Sequence, residues 1–291
     1  MKDLSVIITS CDEYPQNLLT TFNLMEELKD YDYEILLVDN NLKEDIKDRT
    51  RSAFDGVPAE WKDRIKWIPY KEKQSHALAK NYGYSKSQGR NILFLDAHVI
   101  MGRGALPKMI EFLDNFKGKI GSVHALLRWG WYKDGLPCKW KFSKEKFGSD
   151  LEIATEVDLE QIPIASTCGM MIKREVTEEL GLFNENIGVY MGNEPYLTLK
   201  LATCGYPLYR LDNSVYFWHY FYREKKYEIP ENDTKINRMI AAYCIGGEEW
   251  LDKEKPDEVT RLKIISENKK DREFIKLKQV TDLNSYLKQW I

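Results

Sequence analysis

The chain has 291 residues, enough for one large α/β domain or a domain with an appendage. It is 43% hydrophobic and 31% charged, an ordinary globular balance, and its formal net charge of −3 gives no global bias toward nucleic acid or anionic membranes. Its five cysteines are odd in number and far apart, with no C-x-x-C pair, which argues against a zinc site and a secreted disulfide framework. No apolar run is long enough to span a membrane and no signal-like segment opens the chain, so a reducing cytoplasm is the expected compartment.

Leu4-Ser5-Val6-Ile7-Ile8-Thr9 is apolar and β-branched and reads as a first strand. Pro15 to Leu28 carries Leu18, Leu19, Phe22, Met25 and Leu28 at helical spacing. A second buried strand, Tyr33 to Val38, ends in Asp39-Asn40-Asn41, and Lys43 to Phe54 reads as a helix. A short third strand spans Arg64 to Pro69, and a helix from about Ser75 to Lys86 leads through Gly89 into Ile92-Leu93-Phe94-Leu95. Strand and helix alternating in this way imply a parallel sheet with right-handed crossovers. Ligands of such sheets bind beyond the carboxyl ends of the strands.

Those strand ends carry the candidate chemistry. Asp96 and His98 follow the fourth strand, and a carboxylate and an imidazole two residues apart suit a divalent cation such as manganese. The plain alternative is a helix start, with Asp96 as cap and His98 exposed. Thr9 and Asp39 end the first two strands, where a carboxylate can accept from the N3–H of a uracil; an ordinary turn after a strand is the other reading of Asp39-Asn40. No G-x-G-x-x-G or G-x-x-x-x-G-K follows the first strand, which removes the main support for dinucleotide and P-loop sites. A diphosphate would then be held by metal and side chains.

Residues 129–147, rich in Trp, Lys and Gly, show no period and read as a long loop. Its aromatics (Trp129, Trp131, Tyr132, Trp140, Phe142) suit stacking on a sugar or base, or simply pin the loop to the core. Ile164 to Ile172 reads as a turn into a strand, and Glu175 to Leu180 as a short helix. Gly192-Asn193-Glu194 opens a helix that ends near Gly205. Leu208 to Leu211 and Val215 to Trp218 read as strands, with His219 directly after the second. His219 lies between Trp218 and Tyr220, and a lone histidine among aromatics is often a satisfied core group; the pair at 96 and 98 makes it a candidate third ligand. His76 and His124 read first as structural groups.

Taken in order, the strand ending at Thr9, Leu37-Val38-Asp39, Phe94-Leu95-Asp96-Ala97-His98, Gly192-Asn193-Glu194, Cys204-Gly205 and His219-Tyr220-Phe221-Tyr222-Arg223 resemble the catalytic domain of GT-A-fold, family-2-like glycosyltransferases. The nearest likeness is to the polypeptide N-acetylgalactosaminyltransferases. It implies a GT-A fold with a mostly parallel central sheet flanked by helices over residues 1–224, followed by a helical C-terminal extension over 225–291. It further implies that Asp96, His98 and His219 bind a catalytic metal, manganese first and magnesium as the alternative. Thr9 and Asp39 would contact the uridine of a UDP-sugar donor, and Lys73 stands where that family has a nucleotide-contacting arginine. His76, on a helix bordering the nucleotide in relatives, becomes a candidate diphosphate contact. Glu194 would face donor sugar and acceptor, as general base under inversion or as a sugar-orienting group under retention; the histidine third ligand leans to retention. Asn193-Glu194-Pro195 departs from the family's Gly-Glu-Asn, so sugar specificity does not carry over. The acceptor is a hydroxyl on protein, glycan or a modified DNA base. Two competing functions are a sugar-nucleotide pyrophosphorylase, disfavoured by the acidic, glycine-free loop Ser10 to Pro15, and a non-catalytic binding domain. Residues 225–291 show helical segments at Ile236 to Cys244, Asp257 to Ile265 and Arg272 to Leu277, which pack on the domain, close as a lid or mediate self-association.

Overall fold

A computed structural model describes residues 1–130, 135–143, 145–220 and 228–290. Trp131 and Tyr132 of the expected aromatic loop, the Phe221-Tyr222-Arg223 end of the late motif and the boundary at 224/225 lie outside the described residues. The first half builds the expected alternation: β1 (Lys2–Ser10), α1 (Gln16–Glu27), β2 (Tyr33–Asp39), α2 (Glu44–Asp55), α3 (Ala59–Lys62), β3 (Ile65–Pro69), α4 (His76–Lys86) and β4 (Gly89–Asp96). These four strands run parallel, in spatial order β3-β2-β1-β4. Strands buried on both faces need no alternation of polarity, which is why Val6, Ile7 and Ile8 are all fully buried. The strand period sends Val6 and Ile8 into one apolar cluster with α1 and Ile7 into the other with α4. At Gly83 of α4 a Cβ would lie 2.5 Å from Ile7 Cγ2, so glycine lets the helix settle directly onto the sheet.

The second half adds β5 (Val99–Met101), α5 (Ala105–Asn115), β6 (Ser122–His124), β7 (Leu126–Trp129), β8 (Pro137–Phe142), β9 (Ser149–Ile153), β10 (Leu159–Ile162), β11 (Met170–Lys173), α6 (Arg174–Leu180), α7 (Asn193–Thr203), β12 (Leu208–Leu211) and β13 (Tyr216–His219). The main sheet continues from β4 through antiparallel β11 to β6, β12 and β10. A second sheet, β5-β13-β7-β8-β9, stands beside it and carries His219 at the end of β13.

Two expectations change here. The stretch 129–147 is not one long loop: Pro137–Phe142 forms β8, antiparallel to β9. Phe142 is buried in a T-shaped cluster with Phe147 and Trp250, at centroid separations of 5.7 and 5.9 Å, so it pins the hairpin to the core. Lys139 faces Glu160 at 2.8 Å and Lys141 faces Glu152 at 3.4 Å, ion pairs of strand edges. The last two helical segments are likewise one continuous helix, α10 (Glu258–Lys278), preceded by α8 (Asp233–Gly246) and α9 (Glu248–Lys253) and followed by α11 (Leu283–Leu287). Asp257 caps α10 by accepting from the Thr260 amide at 2.9 Å.

The C-terminal helices pack on the domain. Ile240, Ala241, Cys244, Ile264, Ile275 and Leu283 share one apolar cluster with Phe94 of β4 and Leu197 and Leu201 of α7. A buried polar network ties α10 to α7: the Tyr196 hydroxyl and the Asn184 amide each donate to Asp271 Oδ2 at 2.7 Å.

Candidate active site

The sheet register lines up the strand ends. Thr9 pairs with Val38 on one side and with Asp96 on the other, and Ser10 pairs with Asp39, so Thr9, Asp39 and Asp96 share one carboxyl edge. Beyond Asp96 the chain turns at Ala97-His98 into β5, whose Val99 pairs with His219 of β13. That single pairing carries an imidazole 121 residues away in sequence to His98: their Nε2 atoms are 3.0 Å apart. His219 Nε2 lies 3.4 Å from Asp96 Oδ2.

Three donor atoms, one each from Asp96, His98 and His219, lie within 4.8 Å of one another. Two ligands about 2.1 Å from an ion and at right angles to each other are separated by roughly 3.0 Å, so the separation of the imidazole nitrogens fits neighbouring ligands of one cation. Burial holds the pKa of His219 below its ordinary value against the pull of Asp96, which favours the neutral, ligating imidazole. Burial opposes ionisation of Asp96, but hydrogen bonds from His219 and His76 and the nearby charge of Lys80 outweigh it and hold the carboxyl well below its usual range. The His219 ring packs at a tilt against Trp129, centroids 4.0 Å apart with 37° between the ring planes.

Around this cluster lies a second layer. His76 Nε2 is 3.0 Å from Asp96 Oδ1, and Asn193 Nδ2 is 3.3 Å from His76 Nδ1. The two contacts agree on one neutral tautomer, Nε2–H donating to Asp96 and Nδ1 accepting from Asn193. Lys80, fully buried one turn after His76 on α4, stands 3.9 Å from Asp96 Oδ1 and donates to Thr167 Oγ1 at 2.9 Å. Asn193 also reaches Thr167 Oγ1, at 3.3 Å, so this network joins the start of α7 to the acid at 96. Glu194, the next residue, sits in the first turn of α7, and its charge acts on Lys80.

On the other side of Asp96, Thr9 is 7% exposed and its hydroxyl has no hydrogen-bond partner among the described residues, a buried donor and acceptor left for a ligand. Asp39 accepts from Trp67 Nε1 at 2.7 Å and from the Asn41 amide at 2.9 Å. Burial still raises its pKa against those bonds. Lys73 lies exposed in the loop between β3 and α4, beside Gln74, whose amide donates to Cys11 Sγ at 3.3 Å. His124 is a buried core group, which pushes its pKa down to about 3.

The structure therefore gathers Asp96, His98 and His219, sets His76 against the same carboxyl, and aligns Thr9 and Asp39 on the adjoining edge. Sequence reasoning misses Lys80, Thr167, Trp67 and the buried Glu13, whose Oε1 lies 2.8 Å from His98 Nδ1. Only Lys80 leaves a sequence signal, its i, i+4 spacing from His76 on α4.

Known glycosyltransferases resemble this chain in sequence and fold. A putative polypeptide N-acetylgalactosaminyltransferase 13 from Drosophila melanogaster is 25% identical over 278 residues, covering 87% of this chain and 49% of that protein. The chain thus spans about half the length of this curated relative. A crystal structure of GalNAc-T7 with UDP, GalNAc and Mn2+ matches with a TM-score of 0.77 at 17% identity, over 100% of this chain and 56% of the other. TarS of S. aureus matches with a TM-score of 0.55 at 12% identity, over 99% of this chain and 46% of the other. These likenesses establish the GT-A fold. Residues 5–181 match glycosyl transferase family 2, and the chain belongs to that family.

Proposed function

We propose that the protein is a metal-dependent glycosyltransferase that moves a sugar from a nucleotide-diphosphate donor, UDP-linked, to a hydroxyl acceptor. The observation that supports this most is the convergence of Asp96, His98 and His219, from β4, the following turn and β13, on the strand edge that also carries Thr9 and Asp39. Asp96, His98 and His219 would hold a divalent cation, Mn2+ before Mg2+, through one carboxylate and two imidazoles. When bound, the cation neutralises the charge that grows on the departing diphosphate. The orphan Thr9 hydroxyl and the Asp39 carboxyl suit a uridine, and exposed Lys73 suits the phosphates. His76, between Asp96 and Asn193 with its side chain 32% exposed, would orient Asp96 and remains a candidate diphosphate contact. Glu194 opens α7 beside this cluster, where a carboxylate serves as base or as sugar-orienting group.

Similarity to a polypeptide transferase favours a protein hydroxyl as acceptor over a glycan or a modified DNA base. The cytoplasmic reading rests on five cysteines among which no disulfide forms; no helix of the described residues is long and apolar enough to cross a membrane. The domain division at 224/225 is kept as the proposed limit of the catalytic unit. A donor screen scored by sugar-nucleotide hydrolysis tests the proposal without knowledge of the acceptor. Hydrolysis of one UDP-sugar with Mn2+, abolished by a chelator, is expected. Stabilisation by UDP that a chelator leaves intact would refute the metal bridge.

A further inference from the structure

We propose that Glu13 is a positioning residue for the metal site: its buried carboxyl fixes His98 in the tautomer and orientation that present Nε2 to the cation. The inference rests on the metal-site reading above. Glu13 lies in the glycine-free turn between β1 and α1 and is 2% exposed. The turn is held from two sides. Asp12, at φ 54°, accepts from the amides of Leu42 and Lys43 at 3.1 and 3.2 Å, which anchors it to the loop after β2. The Glu13 carbonyl accepts from the Asn17 amide at 2.9 Å, which starts α1. Between these anchors the Glu13 side chain points inward, and its Oε1 meets His98 Nδ1 at 2.8 Å.

A carboxylate oxygen 2.8 Å from Nδ1, an ion-pair contact, favours the proton on that nitrogen and leaves the lone pair on Nε2, the atom that faces His219 Nε2 at 3.0 Å. Carboxyl groups in this outer position orient ligating imidazoles and raise their basicity. The second imidazole is held differently. His219 Nδ1 has no hydrogen-bond partner among the described residues, and its ring is held by tilted packing against Trp129. The two histidines therefore respond to different substitutions, and Glu13 acts on one of them.

Helix α1 extends the same support along the turn. The Thr20 hydroxyl donates to the Ala97 carbonyl at 2.9 Å and accepts from the Val99 amide at 3.0 Å, bracketing His98 in the chain. Asn23 Oδ1 accepts from the Met101 amide at 2.6 Å and Glu27 Oε2 from the Gly104 amide at 2.8 Å. With its neighbours so fixed, His98 has only its ring rotation left to set, and Glu13 sets it.

The test is Mn2+ binding to the full chain, followed by the EPR signal of the free ion, in wild type, Glu13→Gln, Glu13→Ala and His98→Ala. Loss of the outer carboxyl should weaken Mn2+ by roughly 10- to 100-fold. Glu13→Gln keeps the side-chain volume and an acceptor oxygen, so its metal-free melting temperature should match wild type while its affinity falls. In Mn2+-loaded Glu13→Ala, pulsed EPR should show one imidazole nitrogen coupling shifted, the coupling that is missing in His98→Ala. Binding within twofold of wild type in both Glu13 variants overturns the proposal while leaving the metal site standing. Wild type that fails to bind Mn2+ overturns the metal site itself, and the proposal with it.

Discussion

Asn237 on α8 offers a direct test of whether the C-terminal helices build the site or merely cover the domain. Its side chain is buried; Oδ1 accepts from the Gly188 amide at 2.7 Å and Nδ2 donates to the Tyr190 carbonyl at 2.8 Å. Gly192, at φ 82°, passes so close that a Cβ there would sit 2.7 Å from Asn237 Cβ and 2.8 Å from its carbonyl oxygen. α8 is thus the mould for residues 188–192, the segment that delivers Asn193 and Glu194. Asn237→Ala takes the acceptor from the buried Gly188 amide and one donor from the half-buried Tyr190 carbonyl. At about 1–3 kcal/mol for a buried group and less for the other, the loss is about 3 kcal/mol. Unfolding entropy near 2.1 cal/mol/K per residue turns this into a fall of about 5 °C in melting temperature. Calorimetry measures that fall, and sugar-nucleotide hydrolysis with Mn2+ measures the consequence for the proposed acid. Turnover should drop while Mn2+ affinity, set on the far side of the cluster, stays at the wild-type value. A variant that melts within 1 °C of wild type, on the order of a half kcal/mol, would refute the mould. A destabilised variant with unchanged turnover would refute its link to Glu194.

Replacing either His98 or His219 by alanine should lower metal-dependent turnover at least about 100-fold with the fold intact by circular dichroism, since the cation supplies several kcal/mol of charge stabilisation; wild-type rates in either variant would remove that residue from the site. Glu194→Gln should keep UDP and Mn2+ binding, read by thermal shift, and lose transfer by about 10²–10⁴-fold; equal loss of binding would make the residue structural. Lys200, fully enclosed beneath α10, has its pKa lowered by burial to about 8. The folded protein then releases this proton at lower pH than the unfolded chain, so its stability rises with pH between the two values. Relative to Lys200→Met, wild type should gain about 2 kcal/mol between pH 7 and pH 9.5 in denaturant titrations, and a flat difference would refute the burial argument.

The parallel half of the fold is legible in the sequence because β1, β2 and β4 are buried on both faces, so each carries an apolar run with a polar residue at its end. The same feature exposes Thr9, Asp39 and Asp96. The second sheet is hidden for the opposite reason. β8 does alternate over Cys138-Lys139-Trp140-Lys141-Phe142, but the run is short, its lysines turn toward the acids of neighbouring strands and only Cys138 and Phe142 are buried along it, so it does not stand out from the loop around it. The residue that fixes Phe142, Trp250, lies more than 100 positions away. α10 is legible only in pieces because its inner stripe contains Asn268 between Ile264 and Ile275. That asparagine reads as a break in the helix, yet it accepts from the Asn184 amide at 3.0 Å and from the Asn186 amide at 3.1 Å.

The site divides along the same line. Asp96, His98 and His219 are visible because metal chemistry demands particular side chains, whereas Glu13 and Lys80 depend on where the fold brings a carboxyl or an ammonium. Thr20, Asn23 and Glu27 fall outside the apolar spacing of Leu18, Leu19, Phe22, Met25 and Leu28; in the structure they hold the main chain around His98. The metal ligands are thus supported by α1 and Glu13, from the start of the chain, while the Glu194 segment is supported by α8, from near its end. Among the described residues these supports meet at Asp96, through His76 and Asn193 and through Lys80 and Thr167. Metal affinity and turnover should accordingly be separable by mutation, with His76 and Lys80 the positions whose loss disturbs both.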